Sequence, residues 1–264
     1  MLNIKACFLI LFIAFTKQGK AQMAITFDKV VGSITIYDSR RQEWFFSDSQ
    51  DARKPTLPAS TFKILNSLIA LETGVIKDEN QILKWDGIPK SFLGKEMEVW
   101  NKDTDLKTAY KNSTVWFDVE LAKKIKRKNY RKYLSACEYG NLDFSEKGLD
   151  FWNYGSFGIS PVNQVMFLRK VYQNDLPFSK KHIAIVKKMM ISEQTESYVL
   201  RDNTGLTRKD GQDIGWWVGY IETKSNVYFF ASRLIYSSEE EEPYFAYYRK
   251  EVTRHVLREI SRLD

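Results

Sequence analysis

Apolar and polar residues change rhythm several times along the 264-residue chain, and each change marks an element. Ser33–Tyr37 and Glu43–Phe46 are rich in β-branched and aromatic residues and flank the polar break Asp38-Ser39-Arg40-Arg41, which predicts a β-hairpin. Beyond a loop marked by Pro55 and Pro58, Ile64, Leu65, Leu68, Ile69 and Leu71 recur at helical spacing as far as Gly74. From there to about Met190 the pattern is mostly helical with long loops. Ile214–Ile221 and Val227–Ile235 are apolar runs joined by Glu222–Asn226, a second antiparallel hairpin. Val252, Val256, Ile260 and Leu263 predict a last helix from about Tyr247. Strands at both ends with helices between them indicate one α+β unit. Its terminal segments share a central antiparallel sheet around a helical middle region.

Composition narrows the class. With 44% apolar and 14% aromatic residues, the chain is neither collagenous nor disordered. Its longest apolar run, Ala6–Phe15, is about half of the roughly 20 residues a membrane-spanning helix needs, so no integral membrane association is expected. That run follows Lys5 and ends before Gly19-Lys20-Ala21, the layout of a secretory leader over residues 1–21, cleaved before Gln22. Residues 22–264 then form the folded domain. Without Lys5, Lys17 and Lys20 the net charge of +7 falls to +4, a mild excess. Cys7 leaves with the leader and Cys137 remains the only thiol, so no intramolecular disulfide can form. An exported chain of this size must rely on its core, which suits a bacterial periplasm. The densest basic cluster, Lys123, Lys124, Lys126, Arg127, Lys128, Arg131 and Lys132, reads as an exposed helix face backed by Leu121, Ile125 and Leu134. Export leaves it no nucleic-acid partner.

The candidate chemistry is found by elimination. His182 and His255 have no partner at ligand spacing, so no metal site is expected. No Gly-rich phosphate loop occurs, and Gly155-Ser156-Phe157-Gly158 lacks the five-residue nucleophile elbow. Ser60-Thr61-Phe62-Lys63 remains, at the start of the first strong helix. There the i and i+3 side chains share a face and free N–H groups favour an oxyanion. A serine hydroxyl needs a nearby base, and Lys63 can serve only if burial lowers its pKa. Ser-x-x-Lys alone also describes an ordinary capped helix start.

The rest of the chain supplies the context: Pro58-Ala59-Ser60-Thr61-Phe62-Lys63, Trp85-Asp86-Gly87, Trp100-Asn101, Ser113-Thr114-Val115-Trp116, Tyr139-Gly140-Asn141, Trp152, Asn203-Thr204-Gly205 and Arg249-Lys250. In order and spacing these resemble the class D β-lactamases, the oxacillinases. The resemblance implies a three-layer αβα fold of the penicillin-recognising serine transferase type and a small-molecule β-lactam substrate, with no cofactor or metal. It implies that Ser60 becomes acylated, that Lys63 reacts with CO2 to give an N-carboxylated general base, and that Trp152 holds this carbamate through its donor-only indole N–H. Ser113 would relay a proton to the lactam nitrogen, and Phe62, Val115 and Trp116 would keep the pocket dry. The backbone N–H groups of Ser60 and Leu206 would form the oxyanion hole. Thr204, Gly205 and Arg249 would bind substrate, the Arg249 guanidinium taking the substrate carboxylate.

One position departs from the pattern. The family has Lys-Thr-Gly or Lys-Ser-Gly where this chain has Asn203-Thr204-Gly205, so Asn203 keeps a donor and loses a charge. Weaker binding or a narrower substrate range would follow, because charge-assisted hydrogen bonds are about twice as strong as neutral ones. The same departure leaves open a penicillin-binding sensor or decoy that is acylated without turnover. A D,D-peptidase is a third reading, which Trp152 disfavours. Monomer and homodimer are both compatible with the sequence.

Overall fold

The computed structural model describes residues 12–15, 21–24, 31–237 and 245–261. Eight strands make the main sheet: β1 (Phe12–Phe15), β2 (Ala21–Ala24), β3 (Val31–Asp38), β4 (Glu43–Phe46), β5 (Ile191–Gln194), β6 (Tyr198–Lys209), β7 (Gln212–Thr223) and β8 (Val227–Ser237). Their order is β1-β2-β4-β3-β8-β7-β6-β5, antiparallel throughout except for the β2–β4 pair. N- and C-terminal strands therefore meet at β3–β8, as the terminal hairpins predict. The cleavage point expected before Gln22 falls within β2, and most of residues 1–21 lie outside the described residues.

Adjacent tryptophans show how the layers form. Trp216 and Trp217 are both fully buried, because successive side chains on a strand point to opposite faces. Trp216, Val218 and Tyr220 face the larger core, against α1 (Lys63–Glu72), α3 (Val115–Cys137), α4 (Pro161–Gln173) and α5 (Lys180–Met189). Between α1 and α3 lies the short α2 (Leu106–Asn112). On the other face, Trp217, Ile221 and Phe230 pack with Val252, Val256, Leu257 and Ile260 of α6 (Phe245–Ser261). Helices thus cover both faces of the sheet, the three-layer arrangement.

Two features differ from the sequence reading. Asn203-Thr204-Gly205 lies inside the twelve-residue strand β6, and the reversal before β7 is only Asp210-Gly211, both at positive φ. Apolar alternation is absent from this strand because Asp202, Asn203 and Thr207 are buried polar residues, paired by their neighbours instead. The basic face of α3 is also interrupted: Lys126 is non-helical (φ 65°, ψ 146°), and Arg127 turns to donate to the carbonyls of Glu146 and Gly148, both at 2.5 Å. Its guanidinium lies 5.4 Å from the Phe151 ring, so this charge holds a loop in place.

Candidate active site

Ser60 sits in a single 3-10 turn, Ala59–Phe62, and the α-helix proper begins at Lys63. In 3-10 geometry residues i and i+3 eclipse, which aligns Ser60 and Lys63 more directly than an α-turn would. The turn is held under strain. Ala59 has φ 51°, a left-handed conformation costly for a residue with a Cβ, and its N–H is anchored to the Trp152 carbonyl at 3.0 Å. The Thr61 hydroxyl donates to the Pro58 carbonyl and accepts from the buried Gln164 amide, each at 2.7 Å.

Lys63 is only 3% exposed. Its Nζ donates to the Tyr110 carbonyl at 2.7 Å and to Ser113 Oγ at 2.6 Å, both neutral acceptors. Burial pushes the amine down to about 8, with the Asp118 carboxylate pulling partly in the opposite direction. Ser113 caps α2 in the left-handed region (φ 52°, ψ 45°), another local strain at the site. The flanking indoles fix this junction: Trp100 Nε1 donates to the Asn112 carbonyl at 2.9 Å, and Trp116 Nε1 to the Trp100 carbonyl at 2.8 Å.

The third wall is the edge of β6. Strand β5 pairs with β6 only at Val199, Leu200 and Arg201, which leaves the following stretch open on that side. Asp202 turns its N–H to this side, bonding the Met190 carbonyl at 2.9 Å. With the β6–β7 register unbroken, alternation puts the N–H groups of Thr204 and Leu206 on the same side. Gly205 lets the strand approach the serine turn: a Cβ there would stand 3.0 Å from the Pro58 carbonyl oxygen and 3.2 Å from the Ser60 nitrogen.

Ser60, Ser113, Val115, Thr204, Gly205, Leu206 and Arg249 line one cavity of about 190 Å³, whose apolar wall is Phe92, Met97 and Trp100. Arg249 donates to the Gly205 carbonyl at 2.6 Å, and burial brings its guanidinium down to about 10. Lys63 and Trp152 are buried and do not line this cavity; the Trp152 ring stacks on Phe62 at 5.1 Å. Asn203 is also buried and does not line the cavity. Its Nδ2 donates to the Ser60 carbonyl at 3.0 Å while Oδ1 accepts from the Thr204 N–H, so its amide holds the backbone of the serine turn. Among the described residues no cluster of side chains suits a metal ion.

Sequence reasoning missed Asp118. This carboxylate is 4% exposed, accepts from Asn66 Nδ2 at 2.8 Å, and is raised to about 6 by burial. A signal existed: Asp118 shares the helical stripe of Leu121 and Ile125, where an acidic residue is out of place.

Residues 23–261 match the penicillin binding protein transpeptidase domain. The chain is 41% identical to β-lactamase OXA-48 of Klebsiella pneumoniae over 78% of this chain and 76% of the relative. It is 38% identical to β-lactamase OXA-2 of Salmonella typhimurium over 88% and 81%. The crystal structure of a class D β-lactamase from Sebaldella termitidis superposes with a TM-score of 0.83 at 46% identity, covering 89% of this chain and 93% of that one. A class D β-lactamase from Nostoc, YbXI, gives 0.81 at 40% identity, covering 88% and 94%. With a strained Ser-x-x-Lys turn set against an open strand edge, and with relatives this similar over most of its length, the chain belongs to the class D β-lactamases.

Proposed function

We propose that this chain is an exported serine β-lactamase that opens penicillin-type substrates through an acyl-enzyme on Ser60 and thereby gives antibiotic resistance. The leader-like residues 1–21 support export to the periplasm. The observation on which the mechanism rests is the burial of Lys63 between two neutral acceptors.

Ser60 Oγ gives its proton to the base at Lys63 and adds to the lactam carbonyl, whose oxygen takes the negative charge beside the N–H groups of Ser60 and Leu206. Such donors are worth about 3–4 kcal/mol each in related acyl transfers. As the C–N bond breaks, Ser113, hydrogen-bonded to Lys63, delivers a proton to the departing nitrogen. Water then attacks the Ser60 ester, the serine oxygen regains its proton, and the product leaves with a new carboxylate. Arg249 and the Thr204 edge of β6 orient the substrate carboxylate.

The surroundings of Lys63 fit an N-carboxylated lysine. A neutral amine has two N–H groups and one lone pair; the two hydrogen bonds use the first and leave the second for CO2. Ser113 and Trp152 would hold the resulting carbamate, which supplies a general base for acylation and deacylation. Turnover of a chromogenic cephalosporin and of a penicillin, with and without bicarbonate, tests the reading. Activity that bicarbonate raises and Ser60→Ala abolishes is expected; a natively folded protein inert in both conditions would refute it. Asn203 favours a second reading, a sensor or decoy that stays acylated, and intact mass spectrometry separates the two by whether the adduct disappears.

A further inference from the structure

A second ionisable group shares the compartment of Lys63. Asn66, one turn along α1 from Lys63, donates to Asp118 Oδ1 at 2.8 Å and accepts from the Tyr130 hydroxyl at 2.5 Å. Lys63, Asn66, Asp118 and Tyr130 are all buried. Among the described residues no ion pair within 4.0 Å joins Asp118 to Lys63; α1 sets Asn66, which bonds Asp118, one turn from Lys63, and across this dry interior the carboxylate acts on the amine as a nearby charge. The other titratable groups that feel it are Tyr110 of α2, Tyr130 of α3, itself near Arg127, and Asp150 in the loop before Trp152. Only Arg127 among them is a cation, and its guanidinium is committed to the Glu146 and Gly148 carbonyls.

We infer that Asp118 is a positioning residue whose negative charge limits how readily Lys63 takes up carbon dioxide. This rests on the carboxylated-lysine reading above. In that step the Lys63 lone pair forms an N–C bond to CO2, a C=O π pair moves onto oxygen, and one N–H proton leaves to solvent. The amine must be neutral beforehand and becomes an anion afterwards. A carboxylate nearby opposes both: it favours the ammonium form, and it repels the carbamate. Asp118 would therefore make the enzyme more dependent on bicarbonate than burial of Lys63 alone requires.

The test is carbon NMR of the protein from Gln22 onward titrated with 13C-bicarbonate at pH 7.5, with Lys63→Ala as the blank. Asp118→Asn keeps an acceptor for Asn66 and removes only the charge; Asp118→Ala removes both, so the two together separate charge from packing. Both variants are expected to reach half-maximal carbamate signal at about threefold lower bicarbonate, because one unit off the Lys63 pKa raises its neutral fraction at pH 7.5 from about a quarter to about three quarters. Unchanged midpoints overturn the role of Asp118 and leave the carboxylated lysine standing. A carbamate signal absent from the natural protein and both variants at saturating bicarbonate overturns the carboxylated lysine itself.

Discussion

Lys63 and Arg233 are both basic side chains buried in the same domain, and they have opposite fates. Arg233, on β8, is fully enclosed, pairs with Asp51 at 2.6 Å and donates to the carbonyls of Lys54 and Asp51. Burial lowers its guanidinium, Asp51 pulls it back, and the charge serves to tie residues 51–56 to the sheet. Lys63 is almost as deeply enclosed but hydrogen-bonds a carbonyl and a hydroxyl, with the Tyr110 ring 5.2 Å away. The desolvation is shared; the contacting carboxylate is not. A buried cation in contact with its counter-charge is structural, and one without it becomes a base or a nucleophile.

Substitution at each position would sharpen that contrast. Lys63→Ala is expected to reduce β-lactam hydrolysis by about a thousandfold, within the range of general-base removal, while melting temperature is retained or rises. A large loss of stability would show instead that Lys63 is structural. Arg233→Met should do the reverse, costing about 3–5 kcal/mol in denaturant unfolding because Asp51 is left buried without its partner. The contrast fails if that variant unfolds like the natural protein.

Acidity gives a third prediction. Below about pH 8 both folded and unfolded chains protonate Lys63, and the burial cost is fully present. Between about 8 and 10.5 only the unfolded chain binds that proton, so folding stability should rise with pH across this window. Denaturation midpoints measured over this range should show the rise, and Lys63→Met should remove it. The smallest effect is expected at Asn203. Asn203→Lys adds a cation near Ser60 but gives up the bond to its carbonyl, so KM for a carboxylate-bearing penicillin should fall by less than about tenfold. Steady-state kinetics showing no gain would mean that Arg249 already suffices.

Much of this could be read from the chain. The two terminal hairpins, α1 and α6 follow from apolar periodicity, and the pairing of Ser60 with Lys63 from the Ser-x-x-Lys pattern at a helix start, because each depends on local pattern; Ser113 comes only with the family resemblance. Strand β6 could not be read that way, since the buried polar residues Asp202 and Asn203 find partners in Ser192, Met190 and Ser60 from elsewhere in the fold. Asp118 was hidden for a similar reason. Its significance appears only when α3 packs on α1 and sets it against Asn66, 52 residues earlier. Arg127 looked like one more surface charge until the break at Lys126 turned it inward.

The account turns on the protonation of one amine, and its most direct measurement is a carbon NMR titration of Lys63, labelled at Cε, in CO2-free buffer. A midpoint near 8 is the expected result, in keeping with an amine stripped of water and denied a contacting carboxylate. A midpoint at or above 10 would mean that Lys63 stays an ammonium ion at working pH, and the chemistry assigned to it would not stand.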